Sequence, residues 1–506
     1  MKAIGFKNFR KFEDFPIKEM GNITMFVGGN NSGKSTAVKA IISVLSFLSN
    51  ARFHASGNAK QVLDNNFYFN ENPYVHIGTF KRAKCNKNNS TDLSFEIQLE
   101  NYLFSIFLNG DGCDENTTFA KIQRIILKDL SSNFIFDINY GKDALILYFN
   151  KNTELYENNK EYIAAKQKLE ESIHRHHTDS RLRRRLEQEF FDKYPVIDES
   201  FQYSAKITDA FNKRRMIGGP LISGILYNAT YHFTELEENE KEKQGSIYSK
   251  SNLLGTYLFR MSNILDVLLW NQHLVEYIYA HAASQILLYN SSDNNYLSKT
   301  IHEFADLRED KDSQAFELVR KWMRYFEIGK DFKLKSIGGE AHTFDIIEFD
   351  DKEAPLADKG MGTIQLMILL LRIAIIVNSS SRYRARIPVT VIVEEPEQNL
   401  HPKKQSQLIE FFYQIFEEFN IKFIIETHSE YLIRRSQVMV AERKYTSEEQ
   451  LKAECPFKVY YFPENGLPYD MEYQISGRFT KDFESGFFDE ASKYALQLSK
   501  IERGRK

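Results

Sequence analysis

Four short segments of the sequence carry residue types and spacings that could do chemistry. The first is residues 28–36, GGNNSGKST, which fit the pattern G-x-x-x-x-G-K-[ST]. Glycines let backbone N–H groups turn inward onto phosphate oxygens, and the dipole of a following helix favours negative charge. We expect Lys34 to reach the β- and γ-phosphates of ATP, and the Ser35 hydroxyl to bind Mg²⁺.

The surroundings of this loop suit a phosphate site. Residues 23–27 are a short apolar run that predicts a buried strand, and apolar residues at helical spacing over 35–48 predict a helix. A plain glycine-rich turn between strand and helix is the alternative. The residues predicted to bind the nucleotide here are Gly28, Asn30, Asn31, Ser32, Gly33, Lys34, Ser35 and Thr36.

The second segment is the β-branched run 389–393, which ends in Glu394 and Glu395. A buried strand would deliver both carboxylates to the carboxyl edge of a sheet, where ligands of α/β folds bind. We expect Glu394 to hold Mg²⁺ through water, and Glu395 to orient and deprotonate an attacking water. Taken alone, the segment could instead be a strand end that runs into an acidic turn.

The third segment, residues 424–429 (IIETHS), places His428 directly after another short apolar run. A histidine at a strand end near the γ-phosphate can sense that phosphate and help to position the water. A histidine with a purely structural role is the alternative. We predict that Lys34, Glu395 and His428 form the catalytic group.

The fourth segment, residues 358–365 (DKGMGTIQ), opens a long apolar helix. Two glycines at a helix start can form a second anion site, here from Gly360 and Gly362. A flexible loop with helix-capping glycines is an equal alternative.

The elements that must hold these segments indicate an α/β fold with a parallel sheet, because short apolar strands alternate with amphipathic helices after residue 331. Residues 93–108 and 133–149 alternate like antiparallel strands, whereas 155–194, 252–290 and 296–326 have helical spacing. We predict an ATPase head in two halves, 1–150 and 331–506, split by a mainly helical insertion at 151–330, and an exposed loop at 235–250.

Composition excludes several classes of protein. The net charge of −3 gives no global basic field for nucleic acid. Three widely spaced cysteines argue against a disulfide framework and suit the cytoplasm. The N-terminus has no apolar stretch of a signal peptide, and the longest apolar run, 364–377, is too short to span a bilayer. We therefore expect no membrane association.

The insertion carries basic clusters at 181–185 and 213–215. They could contact a phosphate backbone, which leaves DNA binding open as an alternative. We favour a solvated helix face, in which Glu187 and Glu189 pair with the arginines. Residues 174–177 (HRHH) lack a matching acid or cysteine framework, so no metal site is predicted there.

The order of the four motifs resembles that of ABC-type ATPases related to the SMC, RecF and OLD proteins. In particular, the chain is similar to the bacterial "AAA family ATPase" group of anti-phage defence, which includes PtuA of Septu and AriA of PARIS. The match lies in residues 6–10, residues 28–36 (the predicted phosphate-binding loop), 394–402 (EEPEQNLHP), 426–429 and the tail 486–490.

This resemblance implies two heads that sandwich two ATP molecules, as a homodimer or a higher even-numbered oligomer. Gly360 and Gly362 of one copy would bind the γ-phosphate held by the other, with Gln398 and Asn399 at the dimer seam. The family's glutamine ligand has two candidates, Gln61 and Gln98, that the sequence does not separate.

Three functions follow as hypotheses. The first is an ATP-hydrolysing sensor in anti-phage defence that controls a separate effector nuclease of the HNH or Toprim type, because the segment after His428 is too short for the Toprim domain of OLD proteins. The second is a DNA-repair or maintenance ATPase resembling RecF. The third is an assembly scaffold with little turnover.

Overall fold

The computed structural model of the chain describes most of the two predicted head halves and part of the region between them. The described residues are 1–50, 52–53, 66–70, 75, 77–132, 134–176, 180–194, 196–197, 200–207, 219–220, 222, 224–226, 258, 261–266, 268–269, 275–278, 287–290, 292–293, 295–307, 314–383, 389–484 and 487–504. The predicted loop at 235–250, the basic cluster at 213–215 and Gln61 lie outside them.

The strands, numbered in chain order, are β1 Ala3–Phe9, β2 Phe12–Glu19, β3 Ile23–Gly28, β4 Arg52–Phe53, β5 Asn66–Tyr68, β6 Asp92–Leu99, β7 Tyr102–Asn109, β8 Phe119–Asp129, β9 Phe134–Asn139, β10 Ala144–Phe149, β11 Phe201–Lys206, β12 Gly219–Pro220, β13 Val275–Ile278, β14 Tyr289–Asn290, β15 Asp331–Ile337, β16 Ala341–Ile347, β17 Glu353–Pro355, β18 Thr390–Glu394, β19 Lys422–Thr427, β20 Phe457–Phe462 and β21 Tyr469–Asp470. The helices are α1 Lys34–Asn50, α2 Phe80–Ala83, α3 Glu154–Glu157, α4 Lys160–Arg175, α5 Ser180–Lys193, α6 Tyr296–Ala305, α7 Gln314–Tyr325, α8 Met361–Tyr383, α9 Pro402–Phe419, α10 Glu430–Glu442, α11 Glu448–Glu454 and α12 Glu490–Gly504.

The chain divides into two compact units. The first consists of Met1–Glu19 and Lys39–Gln272, and the second of Met20–Val38 and His273–Lys506. The phosphate-binding loop and the three other motif segments all lie in the second unit.

The first unit is built on an antiparallel sheet in the order β11-β10-β9-β8-β7-β6-β1-β2, with β5 paired to β8. Alternate side chains of β6 are buried, so one face of the strand packs into the core. Aromatic rings fill that core, and Phe6 stacks on Phe15 with ring centroids 4.4 Å apart. The predicted meander is present, although the sequence analysis did not identify β8.

The second unit contains a sheet in the order β13-β18-β19-β3-β20-β21. Its first five strands are parallel, and β21 runs antiparallel to β20. Every residue of β3 is buried, as the continuous apolar run 23–27 predicts for a strand covered on both faces. The carboxyl ends of β3, β18 and β19 therefore lie side by side, which brings three of the four motif segments to one edge. The predicted α/β fold is confirmed.

The prediction of helix over 252–290 is wrong at β13 and at β14, whose two residues pair with β16. Val275–Ile278 pairs in parallel with β18, from Val275 opposite Thr390 to Ile278 opposite Val393. Tertiary pairing decides the conformation here, because β18 presents a row of backbone donors and acceptors that a neighbouring strand can satisfy. In 155–194 the helical prediction is confirmed by α4 and α5, whereas the boundaries at 150 and 330 remain predictions.

The predicted solvated face of α5 is present where its side chains are described. Arg185 pairs with Glu189 at 2.8 Å, one turn along the helix, and both side chains are mostly exposed. This is the ion pairing that an exposed helix makes with neighbouring turns.

One helix in the described part of the chain is long and apolar enough to cross a membrane. It is Met361–Ser379, within α8, and 67% of that segment is buried inside the protein. The helix extends beyond the apolar run 364–377, and its buried leucines and isoleucines belong to the core of the second unit.

Candidate nucleotide-binding site

The phosphate-binding loop has the tight backbone that its glycines predict. Gly33 has φ of 110°, a conformation that favours glycine, and its carbonyl accepts the Thr36 and Ala37 N–H groups that start α1. A Cβ on Gly28 would lie 2.4 Å from the carbonyl oxygen of Phe462, so the neighbouring strand β20 excludes any side chain there. Asn30 and Asn31 are exposed, whereas Ser32 and Thr36 are buried. The loop thus holds its backbone close to β20 and turns its tip outward.

Lys34 lies at the centre of this loop and is only 3% exposed. Its Nζ donates hydrogen bonds to the carbonyl oxygens of Gly28 at 3.1 Å and Gly29 at 2.9 Å. The same nitrogen lies 3.0 Å from Nε2 of His428. The ammonium group is therefore anchored at the base of the loop, with His428 beside it.

His428 joins the lysine to the second acidic residue. Its Nε2 lies 3.3 Å from Oε1 of Glu395, in addition to its contact with Lys34. Nε2 can accept from Lys34 or donate to Glu395, depending on which ring nitrogen carries the proton. His428 thus contacts both of the other residues predicted to be catalytic.

Glu395 is held as a carboxylate. The hydrogen bond from His428 keeps its pKa below the usual range, aided by a bond from Gln398 and by the charge of Lys34. Its backbone has φ of 42°, and its N–H donates to the Glu426 carbonyl at 2.8 Å. An uncommon backbone conformation of this kind is often found at functional sites. The group is ionised at neutral pH and can accept a proton.

Ser35 and Glu394, the two predicted metal ligands, have different partners. The Ser35 hydroxyl donates to Oε1 of Glu426 at 2.7 Å. The Glu394 carboxylate accepts a hydrogen bond from the hydroxyl of Tyr277, on the neighbouring strand β13. Glu394 and Glu426 are nonetheless adjacent, because they face each other in the parallel register of β18 and β19.

Ser35, Glu394 and Glu426 offer only oxygen atoms as ligands, and Mg²⁺ prefers oxygen ligands. Glu426 is 2% exposed, and its Oε2 has no hydrogen-bond partner within the described part of the chain. Burial raises the pKa of Glu426 to about 7. Among the described residues no cluster of three or more His, Cys, Asp and Glu side chains could hold a metal. A Mg²⁺–nucleotide site needs fewer protein ligands, because phosphates and waters complete the shell. The residues therefore fit Mg²⁺.

Glu397 fixes the backbone of His428 and was not singled out in the sequence. Its Oε1 accepts the His428 N–H at 2.6 Å, and the residue is 8% exposed. The Ser429 hydroxyl then caps α10 by accepting the Leu432 N–H, and it donates to Gln405. The turn after β18 thus holds His428 at two points, its ring through Glu395 and its backbone through Glu397.

Gly360 and Gly362 begin α8 in different surroundings. A Cβ on Gly360 would meet nothing within 4 Å, and the residue is exposed. A Cβ on Gly362 would lie 2.4 Å from the carbonyl oxygen of Asn399. The start of α8 therefore packs against Asn399 and Leu400, while Gly360, directly before the helix, stays open to solvent.

Of the two glutamine candidates, only Gln98 is described. It lies on β6 in the first unit and donates to the carbonyl oxygen of Glu100 at 2.9 Å. In the second unit, Gln365 donates to the Glu395 carbonyl at 3.3 Å.

Two of the residues that the motif analysis missed could have been identified from the sequence. Glu426 is the one acid within the buried strand β19, where an unpaired charge would be costly. Glu397 follows Pro396 in an acidic turn that joins a strand to a helix. Tyr277 gave no comparable signal, because its strand was itself not predicted.

Replacing Glu397 with Gln should flatten the pH dependence of stability. Burial raises the pKa of Glu397 above its usual 4.5, so the folded chain holds a proton that the unfolded chain releases. Stability is then lost as pH rises from 4.5 towards the raised pKa, by at most about 1.4 kcal/mol per pH unit. Urea unfolding of the wild type and Glu397→Gln across this range checks the prediction, and parallel profiles would contradict it.

The sequence from residue 1 to residue 433 matches the AAA ATPase domain family. The chain is similar to the SMC head domain from Thermotoga maritima, with 9% identity and a TM-score of 0.34, covering 93% of this chain and 98% of that one. It is also similar to an SMC head domain from Pyrococcus yayanosii, with 11% identity and a TM-score of 0.33, covering 94% and 97%. Likeness at these scores carries no functional information. No curated protein sequence matches the chain.

The family match spans the loop at 28–36, the Glu394–Glu395 pair and His428. An ATPase domain implies that ATP is the nucleotide bound. The chain belongs to the AAA ATPase domain family.

Proposed function

We propose that the chain hydrolyses ATP at the site formed by Lys34, Glu395 and His428. The observation that supports this most directly is the meeting of the three side chains at the ends of β3, β18 and β19, with His428 Nε2 at 3.0 Å from the lysine and 3.3 Å from the glutamate. This arrangement combines a cation for phosphate, a carboxylate for water and a group that contacts both.

Each residue has a distinct part in the proposed reaction. Lys34 offsets the charge of the β- and γ-phosphates, and Glu395 orients the attacking water and accepts its proton. His428 contacts both residues, and it would sense the γ-phosphate and help to position the attacking water. Ser35 and Glu394 would hold Mg²⁺, which supplies further charge neutralisation at the phosphates when bound.

We also propose that the active form is a dimer or a higher even-numbered oligomer, in which the start of α8 from one copy completes the site of the other. Gly360 is exposed at a helix N-terminus, where backbone N–H groups favour an anion. The adjoining Gln398 and Asn399 would line the contact between copies. This shared site is what the resemblance to SMC-related ATPases implies.

The biological role proposed is that of an ATP-driven sensor or scaffold in anti-phage defence, located in the cytoplasm and controlling a separate HNH or Toprim nuclease. The support is the resemblance in residues 394–402 and 426–429 to the anti-phage group. The free thiols of Cys85, Cys113 and Cys455 suit a reducing compartment.

Mixing two inactive variants tests the shared site. Lys34→Ala removes the phosphate contact of its own copy, and Gly360→Glu should repel the γ-phosphate held by the other copy. Since a side chain at Gly360 meets nothing within 4 Å, Gly360→Glu should fold, and Gly360→Ala is its matched control. Each inactive variant should lack turnover alone, whereas an equal mixture should regain about a quarter of wild-type turnover, because half of the dimers carry one intact site.

Mass photometry with and without ATP measures the oligomeric state of the same samples. A strict monomer in both conditions, or full activity of Gly360→Glu alone, would overturn the shared site. No recovery in a mixture shown to contain mixed dimers would also overturn it.

A further inference from the structure

Glu426 occupies an unusual place for a carboxylate. It follows the apolar run Phe423–Ile425 in β19, it is 2% exposed, and its neighbour across the parallel register is Glu394. A buried acid is costly unless its oxygens are paired or it contacts a cation. Only one of its oxygens has a hydrogen-bond partner within the described chain, the Ser35 hydroxyl at 2.7 Å from Oε1.

The contact with Ser35 has a directional consequence. A hydroxyl has one proton to donate, and Ser35 donates it to Glu426. Its oxygen lone pairs are then directed away from Glu426 and can coordinate a cation. A second-sphere carboxylate that fixes a metal ligand in this way commonly determines the orientation of the ligand and the affinity for the metal.

The second oxygen is an independent observation. Oε2 is fully buried and has no hydrogen-bond partner within the described residues. A buried carboxylate oxygen of this kind can contact a cation or accept hydrogen bonds from the waters that a cation holds. The adjacent Glu394 carboxylate adds a second negative group on the same edge of the sheet.

We propose that Glu426 is a working part of the Mg²⁺ site: its Oε1 orients the Ser35 hydroxyl towards the cation, and its Oε2 accepts from the hydration shell of the cation. It is a positioning residue for the metal. This inference rests on the proposed ATPase function and goes beyond it by assigning the metal affinity to a strand residue outside the predicted ligands.

Mn²⁺, a paramagnetic substitute for Mg²⁺, allows the metal to be measured apart from turnover. Full-length wild type, Glu426→Gln and Glu426→Asp are titrated with Mn²⁺ in the presence of ATP, and the unbound Mn²⁺ is followed by electron paramagnetic resonance. Binding of a fluorescent ATP analogue in EDTA is measured on the same samples. Glu472→Gln, an exposed glutamate in the second unit, is the matched control.

Glu426→Gln keeps the size of the side chain and an acceptor for Ser35, so binding of the analogue in EDTA should be unchanged. The Mn²⁺ concentration at half-saturation should rise by about tenfold or more. Glu426→Asp keeps the negative charge and should lose less affinity than Glu426→Gln, while Glu472→Gln should match the wild type.

Three results would overturn the inference. The first is an unchanged Mn²⁺ midpoint in Glu426→Gln. The second is an equal loss in the Gln and Asp variants, or a loss of analogue binding in EDTA, because either outcome would mean that Glu426 only braces the loop. The third is a wild type that binds no nucleotide in either condition, and this outcome alone would also overturn the proposed function.

Discussion

Lys34→Ala is expected to weaken ATP binding strongly. Lys34 is almost wholly buried, and its Nζ is held by the Gly28 and Gly29 carbonyls within 3.1 Å. Removing a buried charge that pairs with a ligand costs about 2–5 kcal/mol, which corresponds to a rise in Kd of about 30- to 4,000-fold. The variant also removes one of the two groups that contact Nε2 of His428.

Isothermal titration calorimetry with ATP and Mg²⁺ measures this effect directly. Lys452→Ala is a suitable control, because Lys452 is exposed on α11 and the helix accepts alanine readily. Thermal melting of both variants shows whether the fold is retained. A Lys34→Ala protein that melts like the wild type and binds ATP with wild-type affinity would remove the lysine from the site.

The sequence was most informative where function depends on local chain geometry. The phosphate-binding loop, the Glu394–Glu395 pair and His428 each follow a short apolar strand, and parallel strands bring their carboxyl ends to one edge. Three local patterns therefore predicted one site. The apolar runs that became β3, β18 and β19 were also recognisable, because both faces of such strands are buried.

The residues that were missed depend on contacts between distant segments. Glu426 acquires its importance from the register that sets it beside Glu394 and from its bond to Ser35, 391 positions away in sequence. Tyr277 reaches Glu394 only because β13 joins the edge of the sheet. Local propensity favoured a helix over that segment, and strand pairing prevailed over it.

The structure gives a helix-capping role to two residues of the predicted motif at 394–402. In residues 399–402, His401 is the N-cap of α9 and Pro402 lies in its first turn. A proline is favoured in that position, because its missing N–H would have had no helical partner. The histidine and the proline are thus explained by the start of a helix, while Glu397, just before them, contacts His428.

Glu395→Gln should have the second large effect, on turnover rather than binding. The substitution keeps the shape of the side chain and one of its two oxygens, so it can retain the hydrogen bond from His428 or the one from Gln398 but not both. It removes the negative charge that orients the water and accepts its proton. Loss of a general base typically lowers the rate by about 10²- to 10⁴-fold, whereas the affinity for ATP should change little.

Glu395 is proposed to be the general base of ATP hydrolysis at the site that it shares with Lys34 and His428. A single-turnover assay measures that role directly. Excess protein is mixed with radiolabelled ATP and Mg²⁺, and bound ATP and released phosphate are measured in the same samples. The wild type should convert its bound ATP to ADP, while Glu395→Gln should hold ATP with little conversion over the same interval. Conversion by Glu395→Gln at the wild-type rate would show that Glu395 is not the general base.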